Sequence, residues 1–124
     1  MMRALLLVGL GGGAGSIFRY LTSVAVTRYF QGVFPLAIFI VNISGCFMIG
    51  LFLGLLERVL LANPDLKLLF VTGFCGGYTT FSTFSAENVN LIQSGHYLTA
   101  FLYIAASVLT GMAAVWLGFM LAKL

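Results

Sequence analysis

Gly73-Phe74-Cys75-Gly76-Gly77-Tyr78-Thr79-Thr80-Phe81-Ser82-Thr83-Phe84 lies in the charge-free window between Lys67 and Glu87, inside a chain that is otherwise almost pure lipid-soluble helix. A double glycine followed closely by two threonines opposes a continuous α-helix, because glycine costs about 1 kcal/mol and threonine roughly 0.7 kcal/mol relative to alanine in a helix interior. The spacing predicts that the backbone opens near 76–80. In a bilayer the N–H and C=O groups released there are tolerated only when they are buried in protein, bind an ion or line a watery path. The segment is therefore the first candidate for an ion site.

Outward from that stretch, composition decides the class. Of 124 residues, 61% are hydrophobic and 7% charged, with a mean hydropathy of +1.12. A soluble domain carries about 25% charged residues, so residues 1–124 are expected to form a single membrane-embedded domain. Charge-free windows at 29–56, 68–86 and 88–122 reach or approach the roughly 20 residues of a spanning helix. A shorter window at 4–18 becomes a span if Arg19 lies near its end or faces protein and water. The expected fold is an all-α membrane protein of four transmembrane helices, at about 3–30, 34–60, 66–91 with the break near 76–80, and 97–123. Gly11 with Gly15, and Gly50 with Gly54, sit four apart and offer small faces for close helix contact. Asn63-Pro64-Asp65 and Gln93-Ser94-Gly95-His96 read as turns.

Several functions drop out. The formal charge of +3 is small and dispersed, which supports neither nucleic-acid binding nor a polybasic anchor. Cys46 and Cys75 lack CxxC spacing and read as small buried packing residues. Met1 to Ser16 imitates a signal peptide, but its removal would delete one of the four spans, so it is expected to stay. Gly9-Leu10-Gly11-Gly12-Gly13-Ala14 matches GxGxxA, yet no acidic residue precedes Glu57 and no βαβ unit is possible. One histidine and no clustered carboxylates leave no metal-ligand set and no nucleophile with a base, so an enzyme is not expected.

Polar residues inside the spans carry the remaining information. Asn42, beside Ser44 and Gly45 deep in the second span, either bonds a neighbouring helix or offers uncharged N–H donors to an anion. Phe81 and Phe84 share a helical face directly after the expected break, and Ser82 and Ser85 are offset from them by one position. Aromatics at this spacing often pack a core, but ring edges are also positive and can attract a partly dehydrated anion without trapping it. Tyr103 and Ser107 form a narrow polar stripe continuing to Gly111, open to either a structural or a pore-lining reading. Arg19 and Glu87 are the charges closest to span interiors. Arg3, Arg58, Lys67 and Lys123 fall on one side against Arg19 and Arg28 on the other. This slight bias leans to cytoplasmic termini and leaves dual insertion open.

GFCGGYTTFSTFSAE at 73–87, GGGAGSIFRY at 11–20 and VNISG around Asn42 together resemble the CrcB/Fluc family of fluoride channels over essentially the full length. The resemblance implies an antiparallel, dual-topology homodimer in the cell inner (plasma) membrane, with two fluoride pores along the subunit interface. It implies a structural sodium ion held by the backbone carbonyls of Gly76 and Thr79. The pore residues it implies are Asn42, Phe81, Phe84, Tyr103 and Ser107. Arg19, Thr80, Ser82, Thr83 and Glu87 are carried over as vestibular or structural, and Gly111 and Val115 depart from the hydroxyl track that some relatives extend. The implied activity is passive export of fluoride. The alternative is a small proton-coupled exporter built on Glu87; a non-conducting assembly subunit would leave GGYTTFSTF unexplained.

Overall fold

The computed structural model describes residues 1–59 and 63–124. Helix α1 spans Met2–Tyr29 and α2 spans Leu36–Val59. Three helical stretches then follow without interruption, Pro64–Leu66, Lys67–Cys75 and Gly76–Tyr78, and together form α3. Its middle stretch winds with the wide π pattern, so that the Gly76 N–H reaches back five residues to the Val71 carbonyl. After Thr79 and Thr80 the chain resumes as α4, Phe81–Gln93, and ends with α5, Tyr97–Ala122. Met2–Tyr29, Leu36–Arg58 and Tyr97–Ala122 are each long and apolar enough to cross a membrane, and α3 with α4 makes a bent helix between them.

Local chemistry explains where these elements start and stop. Asn63-Pro64-Asp65, read from sequence as an aqueous turn, is also the start of α3. Asn63 Oδ1 accepts the Asp65 N–H at 3.1 Å, and Pro64 occupies the first turn, where a missing N–H costs nothing. The expected end of the second helix near 60 lies outside the described residues. At the end of α4, Gly95 adopts φ +82°. The Gly95 and His96 N–H groups then reach back to Ile92 and Leu91 at 3.1 and 2.8 Å, closing the helix with paired backbone bonds that glycine's left-handed conformation permits.

The non-helical break is confined to Thr79 and Thr80, narrower than the 76–80 window expected from propensity. Gly76 has ordinary helical angles, φ −62° and ψ −37°. Gly77 is there for space rather than for flexibility: a Cβ on it would sit 2.9 Å from Gly12 Cα of α1.

Glycine faces set the topology. A Cβ at Gly11 would meet the Phe74 nitrogen at 2.9 Å, and one at Gly15 the Tyr78 nitrogen at 2.8 Å. Residue numbers rise together along both helices, so α1 and α3 run parallel. On the other side, Gly111 faces Cys46 and Ile43, Gly50 faces Val115 and Phe119, and Gly54 faces Ala122, so α2 and α5 are also parallel. The passes therefore alternate up and down, with Arg3 paired to Asp65 and Lys123 3.4 Å from Glu57 at one end. Those exposed pairs contribute about 0–1 kcal/mol each and mark the water boundary more than they stabilise the bundle. Because backbones meet at Gly15, Gly15→Val should overpack the α1–α3 seam at a cost of about 1–3 kcal/mol or more. A lowered midpoint of thermal unfolding in detergent is the expected result.

Candidate functional site

The Asn42 side chain clamps the break. Asn42 Oδ1 accepts the Thr80 N–H at 2.9 Å, while Asn42 Nδ2 donates to the Thr80 carbonyl at 3.2 Å. The amide of α2 thus replaces the helical partners that Thr80, 7% exposed, would otherwise lack in an apolar interior. One amide hydrogen is used, and the second remains available. Thr80 also starts α4: its Oγ1 accepts the Thr83 N–H at 3.2 Å and lies 3.2 Å from Thr83 Oγ1 and 3.3 Å from Ser82 Oγ.

These bonds free particular carbonyls. In an uninterrupted helix the Thr80 N–H would close on the Gly76 carbonyl and the Thr83 N–H on the Thr79 carbonyl. Here the first donor goes to Asn42 and the second to Thr80 Oγ1, whereas Thr79 N–H still bonds the Cys75 carbonyl at 3.0 Å. A trans peptide is planar, so with the Thr80 N–H turned toward Asn42, the Thr79 carbonyl points away from it. Gly76 faces open space, since a Cβ there would meet nothing within 4 Å.

An open cavity of about 570 Å³ adjoins the break, and seven of the candidate site residues named from sequence line it: Asn42, Gly76, Thr79, Thr80, Phe81, Phe84 and Ser107. The remaining wall is Gly45, Cys46, Ile49, Val71, Thr72, Cys75 and Val108. None of these residues is charged. Ser107 Oγ is buried without a hydrogen-bond partner. Phe81 is 78% exposed and its ring centroid is 5.9 Å from that of Phe84. The Phe84 ring is in turn held edge-on by Tyr103 at 4.9 Å.

Other positions lie elsewhere. Tyr103 is fully buried and does not line the cavity; its hydroxyl donates to Glu87 Oε1 at 2.7 Å. It sits in an apolar cluster with Leu91 and Ala100, against Phe34, Phe39 and Phe84. The narrow stripe of Tyr103 and Ser107 is therefore divided, with Ser107 at the cavity and Tyr103 behind Phe84. Glu87 is tied to Tyr103 and is also away from the cavity wall. Arg19 is on α1, one turn beyond Gly15, half-buried and outside the lining. Gly111 receives Cys46 Sγ and Ile43 Cδ1 against its open side, so the missing hydroxyl there is replaced by helix packing.

Sequence reasoning overlooked two groups. Tyr78 is buried and its hydroxyl meets Ser44 and Thr22 on two other helices. Asn88 is 5% exposed, donates to the Phe84 carbonyl at 2.9 Å and leaves its Oδ1 unpartnered. A tyrosine ending a helical segment and an asparagine four residues after Phe84 are the available signals; the two Tyr78 bonds depend on tertiary packing that spacing does not specify.

Comparison with known proteins adds an independent line. The family described as CrcB-like protein, Camphor Resistance (CrcB), matches residues 6–119. A protein of Flavobacterium psychrophilum named fluoride-specific ion channel FluC is 51% identical over 122 residues, covering 98% of each chain. Proteins of the same name from Azobacteroides pseudotrichonymphae and Chlorobaculum tepidum are 45% and 47% identical over 123 and 125 residues, covering 99% and 100% of this chain and 98% of each relative.

Proposed function

The chain belongs to the CrcB-like family and is a multi-pass membrane protein, and from that premise we propose that it is a fluoride-selective channel that passively exports fluoride. The single observation that carries this reading is the cavity beside the break. Its polar residues are all neutral, namely Asn42, Thr72, Thr79, Thr80 and Ser107 with its orphaned hydroxyl; the rings of Phe81 and Phe84 join them in the wall, and no charged side chain lines it. Such a wall can replace part of an anion's hydration without holding it as an arginine would. Fluoride enters cells as a neutral weak acid and dissociates inside. An interior-negative potential then drives the anion out with about 2.3 kcal/mol per 100 mV and needs no coupling ion.

In this mechanism the second Asn42 hydrogen and the Ser107 hydroxyl donate to fluoride, and Phe81 and Phe84 present ring edges. Tyr103 acts behind them, holding the Phe84 ring. Arg19, Ser82, Thr83 and Glu87 are structural or vestibular, and Thr80 is the backbone anchor of the break.

A structural sodium ion belongs to the same proposal. The carbonyls of Gly76 and Thr79, whose helical donors are directed elsewhere, are hard oxygen ligands suited to a small cation. Bound, the ion would offset the exposed carbonyl dipoles at the break. The cavity opens on the protomer's surface beside the exposed Phe81, which suits completion of two pores by an antiparallel second copy in the bacterial inner membrane. The proton-coupled exporter lacks support, because Glu87 is engaged by Tyr103 and the relatives carry a channel name.

Planar bilayers under a fluoride gradient test the passive mechanism. Current should reverse at the fluoride equilibrium potential and stay there when a pH gradient is imposed. A reversal potential that follows the proton gradient would overturn the proposal.

A further inference from the structure

Tyr78 is the last helical residue before the break and is 6% exposed. Its hydroxyl lies 3.0 Å from Ser44 Oγ of α2 and 3.3 Å from Thr22 Oγ1 of α1. Hydrogen counting orders this trio. Ser44 has one hydroxyl hydrogen, directed at the carbonyls of Ile40 and Val41 at 2.7 and 3.1 Å. Ser44 Oγ therefore accepts from Tyr78, and Tyr78, its own hydrogen committed, accepts from Thr22. One directed chain runs from Thr22 through Tyr78 and Ser44 to the α2 backbone, tying α1, α3 and α2 together.

The ring is held as well. Phe74 stacks on Tyr78 with centroids 5.9 Å apart and planes 8° from parallel. Gly45 of α2 leaves the space, since a Cβ there would come within 3.1 Å of Tyr78 Cδ2 and strike the Thr79 methyl. Thr79 thus stands between two anchored neighbours, Tyr78 held by hydroxyls and Thr80 held by Asn42. Its carbonyl belongs to the Thr79–Thr80 peptide plane, and the two anchors together set that plane's direction.

We propose that Tyr78 is a positioning residue for the break: through Ser44 and Thr22 it fixes the orientation of the Thr79 peptide at the cavity wall, and thereby the rate of ion passage. Its effect on passage rests on the channel reading; its effect on the break does not. Tyr78→Phe is a mild test, because Ser44 keeps its bond to its own helix. Thr22 can likewise turn to its own helix, as Thr27 does toward the Ser23 carbonyl at 2.8 Å.

Two readouts in the full-length reconstituted protein decide the matter. Amide hydrogen exchange of the segment 76–84 should quicken about fivefold in Tyr78→Phe, and unitary fluoride conductance should fall by about the same factor. Ser44→Ala should act in the same direction, and the double variant should lose little more than either single one. A role limited to folding would lower the number of active channels and leave unitary conductance unchanged, so unchanged conductance overturns the positioning role. Unchanged exchange overturns the anchor itself. A wild-type protein that passes no fluoride would remove the channel reading, with exchange still judging Tyr78.

Discussion

Asn42→Leu is expected to abolish both the ordered break and fluoride flux. The substitution removes the acceptor of the Thr80 N–H and the donor to the Thr80 carbonyl together. Each buried backbone group left without a partner costs about 1–3 kcal/mol. The sum is a large share of the roughly 5–15 kcal/mol that holds a domain folded, and water cannot repair it in the hydrocarbon. Asn42→Asp separates the two bonds, since a carboxylate still accepts from the N–H but cannot donate to the carbonyl. Heating in detergent followed by size exclusion should show both variants aggregating well below the wild type, with Asn42→Leu first. Wild-type thermal behaviour of Asn42→Leu would mean that the clamp carries no weight.

Phe81→Ile should cut fluoride flux on the order of tenfold, the equivalent of about 1.4 kcal/mol of lost stabilisation along the path, while the protein stays folded. Phe81 is 78% exposed in the protomer and its removal opens no core there, so lost flux would not reflect collapse of the protomer's fold. Phe84→Ile should lose at least as much flux, and stability as well, because the Phe84 ring packs against Tyr103 at 4.9 Å and fills the cluster around Leu91 and Ala100. Flux per reconstituted protein, paired with thermal unfolding, separates the two effects. Wild-type flux in both variants would remove the rings from the permeation path.

The passes themselves are legible in the chain, because a bilayer admits almost nothing but helix for such apolar windows. Gly11, Gly15, Gly50 and Gly54 mark close-packed faces correctly, although their partners, Phe74 and Tyr78 on α3 and Val115 to Ala122 on α5, emerge only from the fold. The break is legible as an event but not in its extent. Helix propensity charges Gly76 and Gly77 with it, whereas Gly77 admits the α1 backbone and the opening belongs to Thr79 and Thr80, where a side-chain amide and a capping hydroxyl take over the backbone donors. Asn42 was visible as a polar residue at depth, yet spacing left open whether it bonds a helix or faces an anion; one amide does the first and still has a hydrogen for the second. Tyr103 with Glu87, and Tyr78 with Ser44 and Thr22, escaped notice because each bond joins separate helices.

The most direct test of fluoride-selective passive conduction is efflux from liposomes loaded with fluoride or chloride, with a potassium ionophore clamping the potential. Fluoride should leave rapidly while chloride is retained. Fluoride kept inside by a folded protein, or chloride released as fast as fluoride, would contradict it.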